Sequence, residues 1–210
     1  MNVVNNLKVI KDNLLSLKSK AKIIVVCKNQ QFSKIQNLLN YGHLDYGENK
    51  VQEAYDKWND ILHKFKNINL HFIGKLQSNK AKQAFQIFNY VHSLDNEKLA
   101  KIFSELEIIN NKKIKYFVQV NIGNEPQKNG IEISSVNNFV NYCKNSLNLN
   151  IRGLMAIPPK DQNPDLFFKK LHELNFANNL EELSMGMSDD YKVATKYNTT
   201  YVRIGSAIFS

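Results

Sequence analysis

Eight short apolar runs alternate with segments of helical periodicity, and this alternation constrains the fold more than any other feature of the chain. The runs read as strands at Ile23–Lys28, Leu44–Gly47, Leu70–Gly74, Tyr90–Leu94, Tyr116–Ile122, Ile151–Ile157, Glu182–Gly186 and Tyr201–Gly205. After the second run, Val51, Ala54, Tyr55, Trp58, Ile61, Leu62 and Phe65 recur at i, i+3, i+4 and i+7, the spacing of one helix face. Leu99, Ile102, Phe103, Leu106 and Ile109 repeat that spacing behind the capping types Asp95-Asn96. Val136, Phe139, Val140, Cys143 and Leu147 do so behind Ser134-Ser135, and Leu7, Ile10, Leu14 and Leu17 mark a helix before the first strand. Strand-then-helix alternation produces parallel strands joined by crossover helices. Eight of them close into a barrel that leaves no open edge. The expected fold is α/β: a single (β/α)8 TIM-type barrel with an extra N-terminal helix, one domain over residues 1–210. Because Ser210 follows the eighth strand so closely, the usual last helix is expected to be missing, with the N-terminal helix covering the gap.

Composition narrows the function classes. An apolar fraction of 43% is ample for a barrel core, yet no run approaches the 18 residues of a membrane span. The first 20 residues do not resemble a signal peptide, so a cytoplasmic protein without membrane contact is expected. Cys27 and Cys143 have neither zinc spacing nor a CxxC pattern, and the five histidines show no ligand spacing; no metal is expected. The net charge of +9 invites a nucleic-acid reading, but of 28 basic residues only Arg152 and Arg203 are arginine, the type on which base recognition leans. Nucleic acid is therefore not an expected partner.

Barrels of this kind build their sites from residues at the carboxyl ends of the strands. Those ends carry Lys28, Gly47-Glu48-Asn49, Gly74 with Gln77-Ser78-Asn79, Asn121, Met155, Ser184 to Ser188, and Arg203 to Ser206. Lys28 ends an apolar strand. It is either a lysine whose stem lies along the rim or an amine that partial burial makes nucleophilic toward an aldehyde. The loops after strands seven and eight are a common phosphate site. Here they hold Gly186 and Ser188, then Gly205 and Ser206, beside strand one in a closed barrel. Asp189-Asp190 read as caps of the following helix, and His71 and His92 as packed strand residues. Glu48 reads either as an acid or base or as a first-turn charge.

The same segments resemble a known family. Tyr46-Gly47-Glu48-Asn49-Lys50-Val51-Gln52-Glu53 is similar to the FGENYVQE segment of the pyridoxal phosphate homeostasis proteins, and His71 to Lys80 to their HFIGxLQxNK segment. Gln119-Val120-Asn121, Lys128-Asn129-Gly130, Arg152 to Pro158, Ser184 to Asp190 and Val202 to Phe209 continue the match in order along nearly the whole chain. The resemblance implies a monomeric barrel like the N-terminal domain of alanine racemases. It implies pyridoxal 5′-phosphate (PLP) held as a Schiff base on Lys28, with Ser188, Gly205 and Ser206 at the phosphate and Arg203 facing the pyridine nitrogen. Asn49 and Met155 complete the expected cofactor contacts. A permanently charged arginine there leaves the ring nitrogen unprotonated and the ring a weaker electron sink.

Racemases of that kind also carry a second domain and a tyrosine from a partner subunit, and this chain ends before any such domain. The expected role is thus PLP (vitamin B6) homeostasis without catalysis, with PLP-dependent apoenzymes as candidate recipients. The alternative is a PLP-dependent racemase or lyase acting on amino acids. Four departures from the family stand out. Asn29-Gln30-Gln31 replaces a frequent Thr-Lys-Pro, removing a second lysine, and Cys27 stands where serine is frequent. The segment from Pro159 to Glu181 is shorter than usual, and the C-terminal tail is trimmed.

Overall fold

A computed structural model describes residues 2–65 and 67–210. Eight parallel strands close a barrel in chain order: β1 Lys22–Val26, β2 Asp45–Glu48, β3 Asn69–Phe72, β4 Tyr90–Leu94, β5 Lys115–Gln119, β6 Ile151–Met155, β7 Glu182–Met187 and β8 Tyr201–Ile204. Closure is made by β1 against β8, with Lys22 to Val25 opposite Tyr201 to Ile204. The expected barrel is therefore observed. Strand ends differ from the apolar runs by a few residues, because Lys28, Ile122 and Ile157 lie in the loops that leave the barrel.

Among the described residues the helices are α1 Val3–Ser16, α2 Phe32–Asn40, α3 Val51–Lys64, α4 Ala81–Ile87, α5 Glu97–Asn110, α6 Val136–Asn141, α7 Pro164–Ala177, α8 Tyr191–Ala194 and α9 Ser206–Phe209. α3 buries Val51, Ala54, Trp58 and Ile61, as its spacing predicts. α5 starts where expected, with the Asn96 side chain accepting from the Leu99 amide at 2.9 Å. The last helix is not missing: α9 is a single turn. α1 packs against it, burying Val3, Leu7, Ile10 and Leu14 and donating from Asn6 Nδ2 to the Ile208 carbonyl at 2.9 Å. No helix among the described residues is long and apolar enough to cross a membrane.

The barrel interior is unusual for its polar content. Ile24, Tyr90, Phe117, Met155 and Tyr201 form an inner cluster of their own, and the fully buried His71 and His92 are stacked within it. His71 lies face to face with Tyr90 at 4.2 Å between ring centroids, and His92 with Phe117 at 4.4 Å. The larger apolar core lies between the sheet and the helices.

Candidate cofactor-binding site

The carboxyl ends of the strands open onto a cleft of about 480 Å³. Six of the seven cofactor contacts expected from sequence line it: Lys28, Asn49, Ser188, Arg203, Gly205 and Ser206. They come from four strand ends far apart in the chain, and the β1–β8 closure brings the two most important together. Ile24 pairs with Arg203 and Val25 with Ile204, so Gly205 lies beside Val26, two residues before Lys28. Lys28 is exposed on the rim rather than partly buried. Met155 is placed elsewhere: it is fully buried in the inner cluster and does not line the cleft.

Arg203 is the buried charge of the site. Its Nη1 donates to the Ser184 carbonyl and hydroxyl, both at 2.7 Å, and its Nη2 to the Ala156 carbonyl at 3.0 Å. Burial pushes the guanidinium down to about 10, with the Asp190 carboxylate opposing that shift. A planar fork with three fixed acceptors has one orientation, so its remaining donors are aimed before any ligand arrives. Ser188 accepts from the Ala207 amide at 3.3 Å, tying the end of β7 to α9. Around these groups the cleft holds Lys28, Lys75 and Arg203 against one carboxylate, Asp189, a balance that favours an anion.

Two local features fit a phosphorylated, ring-bearing ligand. The Asn49 side-chain oxygen is buried without a hydrogen-bond partner among the described residues, an expense that a bound polar group would offset. Gly205 is not demanded by the protein's own packing, since an added Cβ would meet nothing nearer than Val26 Cβ at 3.4 Å. A glycine with room beside it, at the edge of a cleft, suits close approach of an anion to the backbone.

Other expected roles changed. Glu48 is a brace: its buried carboxylate accepts from Lys57 Nζ at 2.8 Å and Trp58 Nε1 at 2.9 Å, joining β2 to α3. Asp190 stands at the N-cap of α8 but makes no side-chain capping bond, its carboxylate instead accepting from the Met187 amide. Asn121 is spent on its own loop, exchanging hydrogen bonds with the Glu125 backbone. Gly74 and Met187, both at strand ends expected to build the site, line the cleft as well, as do Lys75, Gln119, Asn129, Ile157 and Asp189, which were not expected there. Lys75 follows Gly74 at the end of β3, so the strand-end rule could have found it.

Comparison with known proteins agrees with this fold. The family model described as alanine racemase, N-terminal domain, matches residues 2–210. The pyridoxal phosphate homeostasis protein of Haemophilus influenzae is 32% identical, the match covering 100% of this chain and 95% of that one. The protein of the same name from Aquifex aeolicus is 36% identical over 90% of this chain and 86% of its own. The structure of PipY from Synechococcus elongatus with PLP bound superposes with a TM-score of 0.85 at 29% identity, covering 95% of this chain and 99% of that one.

Proposed function

The chain belongs to the pyridoxal phosphate homeostasis protein family, built on the barrel of the alanine racemase N-terminal domain, and on that premise we propose that it binds PLP on Lys28 and serves PLP homeostasis rather than turning over a substrate. The observation that carries the reading is the convergence of Lys28, Arg203, Gly205, Ser206, Ser188 and Asn49 on one cleft. Lys28 would hold the aldehyde end, Arg203 would face the ring nitrogen, and Ser188, Gly205 and Ser206 would take the phosphate. Asn49 offers its unpartnered oxygen to the ring substituents. Met155 would act from the interior, as packing behind the site rather than as a contact within it. The cofactor supplies an aldehyde that condenses with an amine, with loss of water, and a ring whose electron demand depends on its nitrogen.

The chain's own groups favour holding over chemistry. Arg203 donates to the ring nitrogen without protonating it, because a guanidinium keeps its proton near neutral pH. Lys28 on an exposed rim suits exchange with solution and with PLP-dependent apoenzymes, the class of recipient that needs the cofactor delivered.

Titration of the purified protein with PLP, followed by borohydride reduction and peptide mapping, tests this. A visible absorption band that saturates and a pyridoxyl label on Lys28 are expected, with Lys28→Ala losing both while staying folded. A label confined to Lys75 would move the anchor to that residue, and no saturable band would end the cofactor reading. Incubation with amino acids in deuterium oxide distinguishes carrier from enzyme. No exchange of the α-proton is expected, and sustained exchange would favour a racemase or lyase.

A further inference from the structure

One hydrogen-bonded chain crosses the barrel interior from one mouth to the other. Arg203 Nη1 lies 2.7 Å from Ser184 Oγ, which lies 2.8 Å from His92 Nδ1. His92 Nε2 lies 2.9 Å from His71 Nδ1, and His71 Nε2 lies 3.1 Å from Asp45 Oδ1. Asp45 is the first residue of β2 and lines a separate cleft of about 390 Å³ at the amino end, with Lys11, Lys20, Lys22 and His43. Five residues from β2, β3, β4, β7 and β8 thus link the cofactor cleft to the opposite face.

The protons on this chain can be placed from either end, and both ends give the same order. A guanidinium only donates, so the Ser184 oxygen accepts from Arg203, and its single proton goes to the one partner left, His92 Nδ1. Burial pushes both histidines below their usual range, so each is neutral with one N–H. His92 then donates from Nε2 to His71 Nδ1, and His71 from Nε2 to Asp45. From the other end, a carboxylate only accepts, and each step back to Arg203 follows without conflict. Asp45 also accepts from Asn69 Nδ2 at 3.0 Å. The ring planes are held by the stacked Tyr90 and Phe117, so neither tautomer can relax by rotating. Aligned bonds of this kind polarise one another in a low-dielectric interior.

We propose that Ser184, His92 and His71 are positioning residues that hold Arg203 in its fork toward the cofactor's ring, with Asp45 on the opposite face of the barrel as their terminal acceptor. This rests on the reading that PLP occupies the cleft. Of the five linked residues only Arg203 lines the cofactor cleft, and the other four act through it. If the chain breaks at its far end, the His71 N–H is left without an acceptor and no carboxylate polarises the bonds that lead back to Arg203. The consequence then reaches Arg203 across the whole barrel.

The test uses the full chain with Asp45→Leu, Ser184→Ala and the double variant, reading the PLP dissociation constant, the visible absorption of bound PLP and the thermal midpoint without PLP. Each single change is expected to raise the dissociation constant about tenfold, the worth of one hydrogen bond to a charged group, and to displace the absorption band. The double variant is expected to be no worse than the worse single, because both cut one chain. If Asp45→Leu does not fold, Asp45→Ser, polar but too short to reach His71, replaces it in both the single and the double variant. Parental affinity and absorption in these variants, even with a lowered midpoint, would overturn the inference and leave a polar core that only stabilises. A double variant about a hundredfold weaker would also overturn it, since independent effects multiply. A parent protein that binds no PLP would instead sink the cofactor reading, and this inference with it.

Discussion

A methyl group added at Gly74 would lie 2.1 Å from the Asn49 carbonyl oxygen, whereas one added at Gly205 would meet only ordinary contacts at 3.4 Å and beyond. The first glycine lets the end of β3 press against the backbone that presents Asn49, so it belongs to the scaffold. The second has no such duty. Gly205→Ala is therefore expected to leave stability within about 0.5 kcal/mol of the parent by urea unfolding. PLP affinity should nevertheless fall about tenfold or more, because the methyl occupies space that the phosphate would use. Unchanged affinity would place the phosphate elsewhere on the rim. Residues of this kind were legible in the sequence because a strand's carboxyl end is a fixed address in a barrel. Met155 shares that address but points inward, and nothing in a run of apolar residues distinguishes the last inward position from the first exposed one. His71 and His92 were legible as buried and not as linked, since their partners lie on strands far away in sequence.

At the level of elements, helix existence followed the apolar spacing while helix orientation did not always. In α5 the expected face includes Ile109, which is 78% exposed, and the buried face instead includes Ala100, Ser104 and Glu107. Small and polar residues can face a sheet when their groups are satisfied: Ser104 donates to the Leu147 carbonyl at 2.9 Å, and Glu107 accepts from Tyr116 Oη and the Ile114 amide, each at 3.0 Å. Apolar counting cannot see those partners. The opposite case is α1, where Leu7, Ile10 and Leu14 of the expected stripe are buried, Leu17 is 45% exposed, and the helix it packs on is one that the sequence did not predict. It packs on α9 and reaches α8 through Asn13 Nδ2, which donates to Tyr191 Oη at 3.0 Å. α8 and α9 flank the loops of the proposed phosphate site, so α1 supports that site from behind. Leu7→Ala, at the fully buried centre of the stripe, is expected to cost about 2–5 kcal/mol in urea unfolding. A cost under about 0.5 kcal/mol would mean that α1 is an appendage and not part of the cooperative barrel.

For the molecule as a whole, the interior that orders Arg203 also sets how stability responds to acid. Burial holds His43, His71 and His92 below the ordinary histidine value of 6.5, so all three enter the folded state neutral. An unfolded chain takes up their protons near 6.5, and the folded chain does not. Below that pH the unfolded state binds more protons, and the free energy of unfolding must fall as pH falls. Each histidine contributes a slope of up to about 1.4 kcal/mol per pH unit, so three contribute at most about 4. The carboxylates act lower down and in both directions. Asp45 faces a burial cost, but hydrogen bonds from His71 and Asn69 outweigh it and hold it below 3.8, adding a loss on strong acidification. Burial raises Asp95 and Asp190 above 3.8, which opposes that loss. The histidine term is therefore isolated just below 6.5. Urea unfolding at pH 7.5, 6.5 and 5.5, near 0.15 M salt so that the +9 charge is screened beyond about 8 Å, should show a loss of at most about 1 kcal/mol over the first interval and up to about 3 kcal/mol over the second. A flat profile would mean that the histidines protonate inside the fold, and a protonated His92 cannot accept from Ser184.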